Sequence, residues 1–289
     1  MRRNALEAHV QVDLELLDGR LDVDVPRKLP GQQVAPVRVR TPVSVAGVRG
    51  TQFSVQYDAQ AHTSQVEVRR GTVASRGQAD AQAQLLGAEQ GAVVAADGRS
   101  APPEALLPAP QWLGEGPAAA AAPQAVTLRF GVPSAVSQRA DHYAFSVSDT
   151  GNVHAPPQRS ESRVGELALP SLGKEAAFVD VLAVSPSGLQ GLERSFAVCR
   201  SYRFAMRPVC DLAFDARDLK QATLFLHRLA DGASSPTPQN LLLTLRPETA
   251  GMTQLKSTPE GRYAWRMSYQ SETGQLFAKQ GFFEVVALQ

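Results

Sequence analysis

Along residues 41–73 apolar and polar positions alternate with a period of two. In Gln52–Tyr57, Phe53, Val55 and Tyr57 fall on one face and Gln52, Ser54 and Gln56 on the other, and Thr41-Pro-Val-Ser-Val alternates in the same way. This period predicts half-buried strands. Gly47 and Gly50 sit where the apolar phase changes, since Val43 and Val45 are odd positions and Val48 is even. A one-residue slip exchanges the two faces of a strand, so a bulge or corner is expected at these glycines. A glycine ahead of an alternating strand recurs at Gly19, Gly50, Gly71 and Gly91. A spacing of about twenty residues suits a small β-solenoid, the favoured arrangement, or a jelly-roll-like roll.

The same pattern organises the flanks. VDLELLDGRLDVDV (Val12–Val25) alternates around Asp18-Gly19, a favoured two-residue turn, and predicts a hairpin. Residues 28–33 read as a loop. From Arg99 to Gln124 the composition turns to proline and alanine, which predicts a linker plus an irregular first strand anchored by Trp112.

The remainder reads as one pattern twice. VTLRF, HYAFSVSD, LALPSL and AFVDVLAVSPSGLQG are followed by CDLAFD, ATLFLHRLAD, LLLTL and GRYAWRMSYQSETGQ. A unit of about 85 residues with short strands and regular turn signals predicts an immunoglobulin-like sandwich, twice over. The Leu-Pro-x-Leu turn before an aromatic strand resembles fibronectin type III domains. Tyr263 takes the place of a tyrosine corner, with Trp265, Met267 and Tyr269 alternating after it; Phe178 stands there in the first copy, without the hydroxyl. The expected fold is all-β in three domains: residues 1–103, 104–201 and 202–289.

Lys and Arg total 29 against 28 Asp and Glu, a net charge of +1. This balance argues against nucleic acid or an anionic membrane as a bulk partner. No stretch has the length and apolarity of a membrane helix, and the basic start Met1-Arg-Arg lacks the apolar run of a signal peptide. Five histidines, His9, His62, His142, His154 and His227, show no metal-ligand spacing, and no nucleophile elbow, phosphate loop or dinucleotide fingerprint occurs. Asp13, Asp18, Asp22 and Asp24 surround the first turn. They read as a polar outward face rather than a calcium loop. No cofactor, no metal and no catalysis are expected. Cys199 and Cys210, 11 positions apart, are either two buried thiols or, in an oxidising compartment, a disulfide closing a small loop.

TPVSVAGVRGTQFSV (41–55), SQVEVRRGTV (64–73) and LLGAEQGAVV (85–94) resemble the FecR-type domain, over roughly Asp13 to Asp97. That resemblance implies a periplasmic, non-enzymatic β-domain. Such domains occur in envelope proteins that append immunoglobulin-like domains, often after a LysM module, and in the membrane-spanning regulators of iron-siderophore signalling. The expectation is a binding or scaffold module of the bacterial cell envelope, associated with a protein or peptidoglycan partner through an anchor preceding this chain. The alternatives are the periplasmic part of a FecR-type regulator and an accessory region of a larger carbohydrate-active protein. The candidate partner surface on the first domain is Arg49, Gln52, Arg69 and Arg70.

Overall fold

The computed structural model describes residues 12–25, 37–48, 51–116, 125–149, 157–201, 208–215, 222–230, 235, 237–245, 252–270 and 276–288. The chain forms two compact units. The first comprises 1–108 with 137–141 and 184–192; the second comprises 109–136, 142–183 and 193–289. Helix among the described residues is limited to the single turn Pro238–Asn240.

Among its described residues the first unit holds ten strands: β1 (Val12–Glu15), β2 (Gly19–Asp24), β3 (Val37–Arg40), β4 (Ser44–Val48), β5 (Gln52–Asp58), β6 (Thr63–Arg70), β7 (Val73–Gly77), β8 (Gln84–Leu86), β9 (Gln90–Val94) and β10 (Glu104–Ala105). They form two five-stranded sheets, in the orders β1-β3-β4-β7-β8 and β10-β9-β6-β5-β2. One apolar cluster joins the sheets: Val39, Ala46, Val48, Val73 and Leu86 from the first meet Phe53, Val55, Val66, Val68 and Ala92 from the second. The alternation of Gln52–Tyr57 therefore corresponds to real burial.

Two expectations are corrected here. A solenoid stacks parallel strands, but among the described pairs of this unit only β1–β3 is parallel; the arrangement is the roll-like one. Val12–Val25 is not a hairpin, because β1 pairs with β3 and β2 with β5. Asp18-Gly19 is a corner that moves the chain between sheets, with Gly19 at φ +88° and the Asp18 carboxylate accepting the Ala59 N–H at 3.2 Å. Leu14, Leu21, Val23 and Val25 all still face the core.

The phase change also lies elsewhere. Inward residues of β4 are Ser44, Ala46 and Val48, so the slip falls between Val43 and Ser44. The Thr41 hydroxyl accepts the Ser44 N–H at 3.0 Å, and the Ser44 hydroxyl donates to Ser64 across the core at 3.0 Å. This buried chain satisfies the polar groups that the slip turns inward. A bulge does occur where β5 begins: Gln52 pairs with Arg70 and Phe53 with Val68, leaving Arg69 extra. Gly50 lies outside the described residues, as do the expected loop at 28–33, the lead-in 1–11 and the alanine run 118–122.

The second unit contains β11 (Gln111–Glu115), β12 (Val126–Gly131), β13 (His142–Ser148), β14 (Gln158–Ser162), β15 (Glu166–Leu169), β16 (Ala177–Val184), β17 (Arg194–Arg200), β18 (Val209–Asp215), β19 (Ala222–Arg228), β20 (Leu241–Leu245), β21 (Met252–Pro259), β22 (Gly261–Gln270) and β23 (Leu276–Leu288). The internal repeat is visible in the pairing. Sheet β11-β12-β15 opposes β14-β13-β16-β17, and β18-β21 opposes β20-β19-β22-β23.

One equivalence differs from the sequence reading. LLLTL is β20 and corresponds to β14, QRSES, not to LALPSL, whose counterpart is β21. β14 is an edge strand with almost every side chain exposed, so it carries no alternation to read. β17 pairs in parallel with β23, Phe196 with Glu284 through Arg200 with Leu288, joining the two four-stranded sheets into one of eight.

Aromatic residues fill both sandwich interiors. Trp112 meets Phe130 edge-on at 5.4 Å, and Phe130 packs on Phe196 at 5.3 Å. In the second sandwich Tyr263 is fully buried and stacks on Phe283 at 5.5 Å, and its hydroxyl donates to the Pro259 carbonyl at 2.7 Å. Burial pushes that phenol up to about 12. Phe178 does not sit in a matching corner; it packs against Phe214 and Phe283 of the second sandwich.

Cys199 and Cys210 are joined in a disulfide, with Cα atoms 5.7 Å apart, at the end of β17 and the start of β18. Closing an 11-residue loop removes chain entropy from the unfolded state. A Cys199→Ala/Cys210→Ala double variant is expected to lose about 3 kcal/mol in denaturant titration. Wild type under reducing conditions should show most of the same loss.

Candidate functional site

The outward face of the second sheet of the first unit gathers most of its organised polar groups. Alternation in β6 sends Ser64, Val66 and Val68 inward and Gln65 and Glu67 outward, yet the Glu67 side chain has no exposed surface. The cover is the segment 184–192, whose Leu189 is buried beside Leu106 and Leu107. Gly91 makes that approach feasible: a Cβ there would stand 2.8 Å from the Leu189 side chain and 2.9 Å from Leu106. Gly188, at φ +87°, turns the segment over Gln65.

A carboxylate taken out of water needs compensation. Arg20 on β2 supplies it, with its guanidinium 2.8 Å from one Glu67 oxygen. The Gln190 N–H donates to the other oxygen at 3.0 Å. Burial nonetheless pushes Glu67 above the usual carboxylate range, against the opposing pull of Arg20, the Gln190 amide and Arg69. Arg20 also reaches Asp22 at 3.1 Å, and Asp22 accepts the Ser54 hydroxyl at 2.5 Å. The far end of the covering segment is held by Glu104, whose carboxylate accepts from the Ser185 hydroxyl at 3.1 Å and from Ser187.

The residues singled out in the sequence divide on this face. Arg69, the bulged residue, is half-buried and donates to the Gly191 carbonyl at 3.2 Å. Gln52 and Arg70 are cross-strand partners at the end of the sheet, and Arg70 lies 3.5 Å from Asp24. Arg49 lies outside the described residues. Asp22 and Asp24 do share a face, as alternation requires, but each is engaged by an arginine. The structure adds Arg20, Glu67 and Gln190, which sequence reasoning missed. Glu67 in VEV reads as one more outward polar position, and its cover comes from a segment 123 residues away.

Among the described residues no group of three or more His, Cys, Asp and Glu is placed to hold a metal ion. His62 meets the Tyr57 hydroxyl at 3.2 Å, and His227 meets the Thr237 carbonyl at 3.2 Å. His9 and His154 lie outside the described residues. No described helix is long and apolar enough to cross a membrane.

Two outcomes are expected of this network. Arg20→Ala should cost about 3 kcal/mol at neutral pH, because it leaves the Glu67 carboxylate buried without its cation. Folded Glu67 holds its proton to higher pH than unfolded Glu67. The folded state thus binds more protons in the window above the ordinary carboxylate value, and stability falls as pH rises through it. The Arg20→Ala deficit should therefore shrink on acidification, as urea titrations at pH 4 and pH 7 would show. Gly91→Val should displace the covering segment; hydrogen exchange at the Gln190 amide would then lose its protection while that of β5 and β6 persists.

Residues 2–74 match the family described as FecR protein. No curated protein matches the chain. Among solved structures, a protein from Parabacteroides distasonis ATCC 8503 described as an inferred anti-sigma factor aligns at 21% identity and a TM-score of 0.26, covering 30% of this chain and 39% of its own. A second structure of such a protein from that organism gives the same identity and score, with 38% of its chain covered. This chain thus spans about two fifths of the length of those structures. The FN1–FN3 domains of chicken CNTN1 align at 10% identity and a TM-score of 0.24, over 93% of this chain and 98% of that one. The N-terminal part of this all-β chain carries a FecR-type domain.

Proposed function

We propose that this chain is a non-enzymatic binding module of the bacterial cell envelope, in which a FecR-type domain presents a polar face to a protein or peptidoglycan partner. The observation that carries this reading is the match of residues 2–74 to the FecR protein family, a family associated with the envelope whose members are regulators rather than enzymes. The described polar groups of the second sheet lie on one face, pinned to one another, which suits recognition by a partner surface. In this reading residues 109–289 are two fibronectin-type sandwiches that display the first domain, and the module works in the periplasm.

The partner surface we propose is the end of the second sheet around Gln52 and Arg70, together with Arg49. Arg69 contributes to it by fixing the segment behind that edge, since its guanidinium is already engaged by Gly191.

A second reading has the same observation in its favour: the chain is the periplasmic part of a FecR-type regulator, and its partner is a membrane receptor rather than the cell wall. Co-sedimentation of the purified chain with isolated sacculi, beside co-purification from envelope membranes, separates the two. The scaffold reading expects sacculus binding that drops at least about fivefold in Gln52→Glu/Arg70→Glu, because reversed charge at a recognition surface both removes attraction and adds repulsion. Recovery of a membrane receptor without sacculus binding points to the regulator. Sacculus binding that the double substitution leaves unchanged sinks the surface assignment.

A further inference from the structure

The opposite face of the first unit holds charge that its own contacts do not consume. Register places Glu15, Arg40, Val45 and Arg76 in one row across β1, β3, β4 and β7. Asp13, Arg38, Gly47, Ala74 and Leu85 form the neighbouring row. Between the rows Arg38 and Arg40 of β3, Val45 and Gly47 of β4, and Ala74 and Arg76 of β7 line a groove of about 410 Å³. That volume falls within the range of small-molecule sites, roughly 300–1,000 Å³.

The groove has an uncharged floor of small side chains and cationic walls. Gly47 leaves its middle open, since a Cβ there would meet nothing within 4 Å. Arg38 is committed to Asp13, at 3.8 Å. Arg40 and Arg76 are exposed, and neither side chain makes a hydrogen bond or ion pair among the described residues. They stand on strands two apart, so about 9–10 Å separates their backbones. A guanidinium presents a planar fork that suits carboxylate or phosphate oxygens. Two such forks on facing walls suit a molecule with an anionic group at each end. The acidic residues of this face, Asp13 and Glu15, are confined to the edge strand β1, on the side of β3 away from the floor.

We propose that this groove is a binding site for a small dianionic ligand, with Arg40 and Arg76 each taking one oxyanion group and Val45, Gly47 and Ala74 lying beneath the ligand body. The site is separate from the partner surface on the other sheet and stands whether or not that surface is used.

Calorimetric titration of the full chain at low salt tests it, with glutarate as the two-ended probe, acetate as the one-ended probe and inorganic phosphate as the compact dianion. Saturable one-to-one binding of glutarate is expected, with acetate clearly weaker. Arg40→Gln and Arg76→Gln should each weaken glutarate about tenfold or more, the usual effect of losing a charge-assisted pair of hydrogen bonds. Gly47→Val should abolish binding by filling the floor, and its thermal midpoint should match wild type. Arg99→Gln, altering a 78% exposed arginine elsewhere in the unit, should bind as wild type does. Absence of saturable glutarate binding overturns the proposal. So does phosphate binding in its place, or an equal loss in Arg99→Gln.

Discussion

A carboxylate with no exposed surface constrains everything around it, and Glu67 is such a group. In the outward register of β6 it would ordinarily be solvated, so its burial has to be compensated at each oxygen. One oxygen takes the Arg20 guanidinium and the other the Gln190 amide. From these contacts the rest of the face follows. Arg20 must lie flat on β2, which brings it against Asp22, and Asp22 is steadied by Ser54 on β5. The segment 184–192 must reach β6 closely enough to donate a backbone N–H, and Gly91 leaves room for that approach, since a Cβ there would crowd the Leu189 and Leu106 methyls. Leu189, Leu106 and Leu107 then gain their burial from the same approach. Apolar contact supplies the bulk of the stabilisation there, while the ion pair selects the one geometry in which it can be realised.

In the second unit the governing constraint is the strand edge. A sandwich ending in a long strand exposes unpaired N–H and C=O groups. Here the last strands of the two copies, β17 and β23, satisfy each other in parallel. The pairing also shapes the core: Ala197 and Cys199 of the first copy enter the same cluster as Cys210, Leu212, Tyr263 and Phe283 of the second. The disulfide lies inside that shared cluster, where Cys199 and Cys210 are fully buried. Phe178 belongs with it for the same reason. It never needed a tyrosine's hydroxyl, because it faces an aromatic neighbour rather than a strand carbonyl.

Legibility in the sequence followed the reach of each interaction. Phe53, Val55 and Tyr57 could be placed because strand alternation is a local signal and burial here obeys it. The repeat of the second unit was legible for strands with one buried face. It failed at β14, whose residues Gln158–Ser162 lie on an edge with nothing to bury. Asp18-Gly19 revealed a turn but not its partner, since the residues that make a hairpin corner also make a corner between sheets. Arg69 could be seen as basic and strand-borne, yet its bulge depends on the pairing of Gln52 with Arg70 and Phe53 with Val68. Glu67 was the least legible of all. Alternation reports which face a residue takes, and nothing in VEVRR reports what will later cover that face.

The two outer faces of the first unit consequently differ in what they can offer a partner. On the second sheet Arg20, Asp22, Asp24, Glu67, Arg69 and Arg70 already hold one another or the covering segment. A partner there meets a fixed pattern of hydrogen-bonding groups and must break an existing pair to gain a new one, so recognition rests on shape and register. On the first sheet the Arg40 and Arg76 side chains make no hydrogen bond or ion pair among the described residues, so a ligand bound there as proposed would face chiefly the cost of their dehydration. If both faces are used as proposed, long-range attraction and salt sensitivity fall to the first sheet and geometric selectivity to the second. On that proposal a single small β-domain separates attracting a ligand from discriminating a partner, because opposite faces of one core differ in how far their charges are already paired.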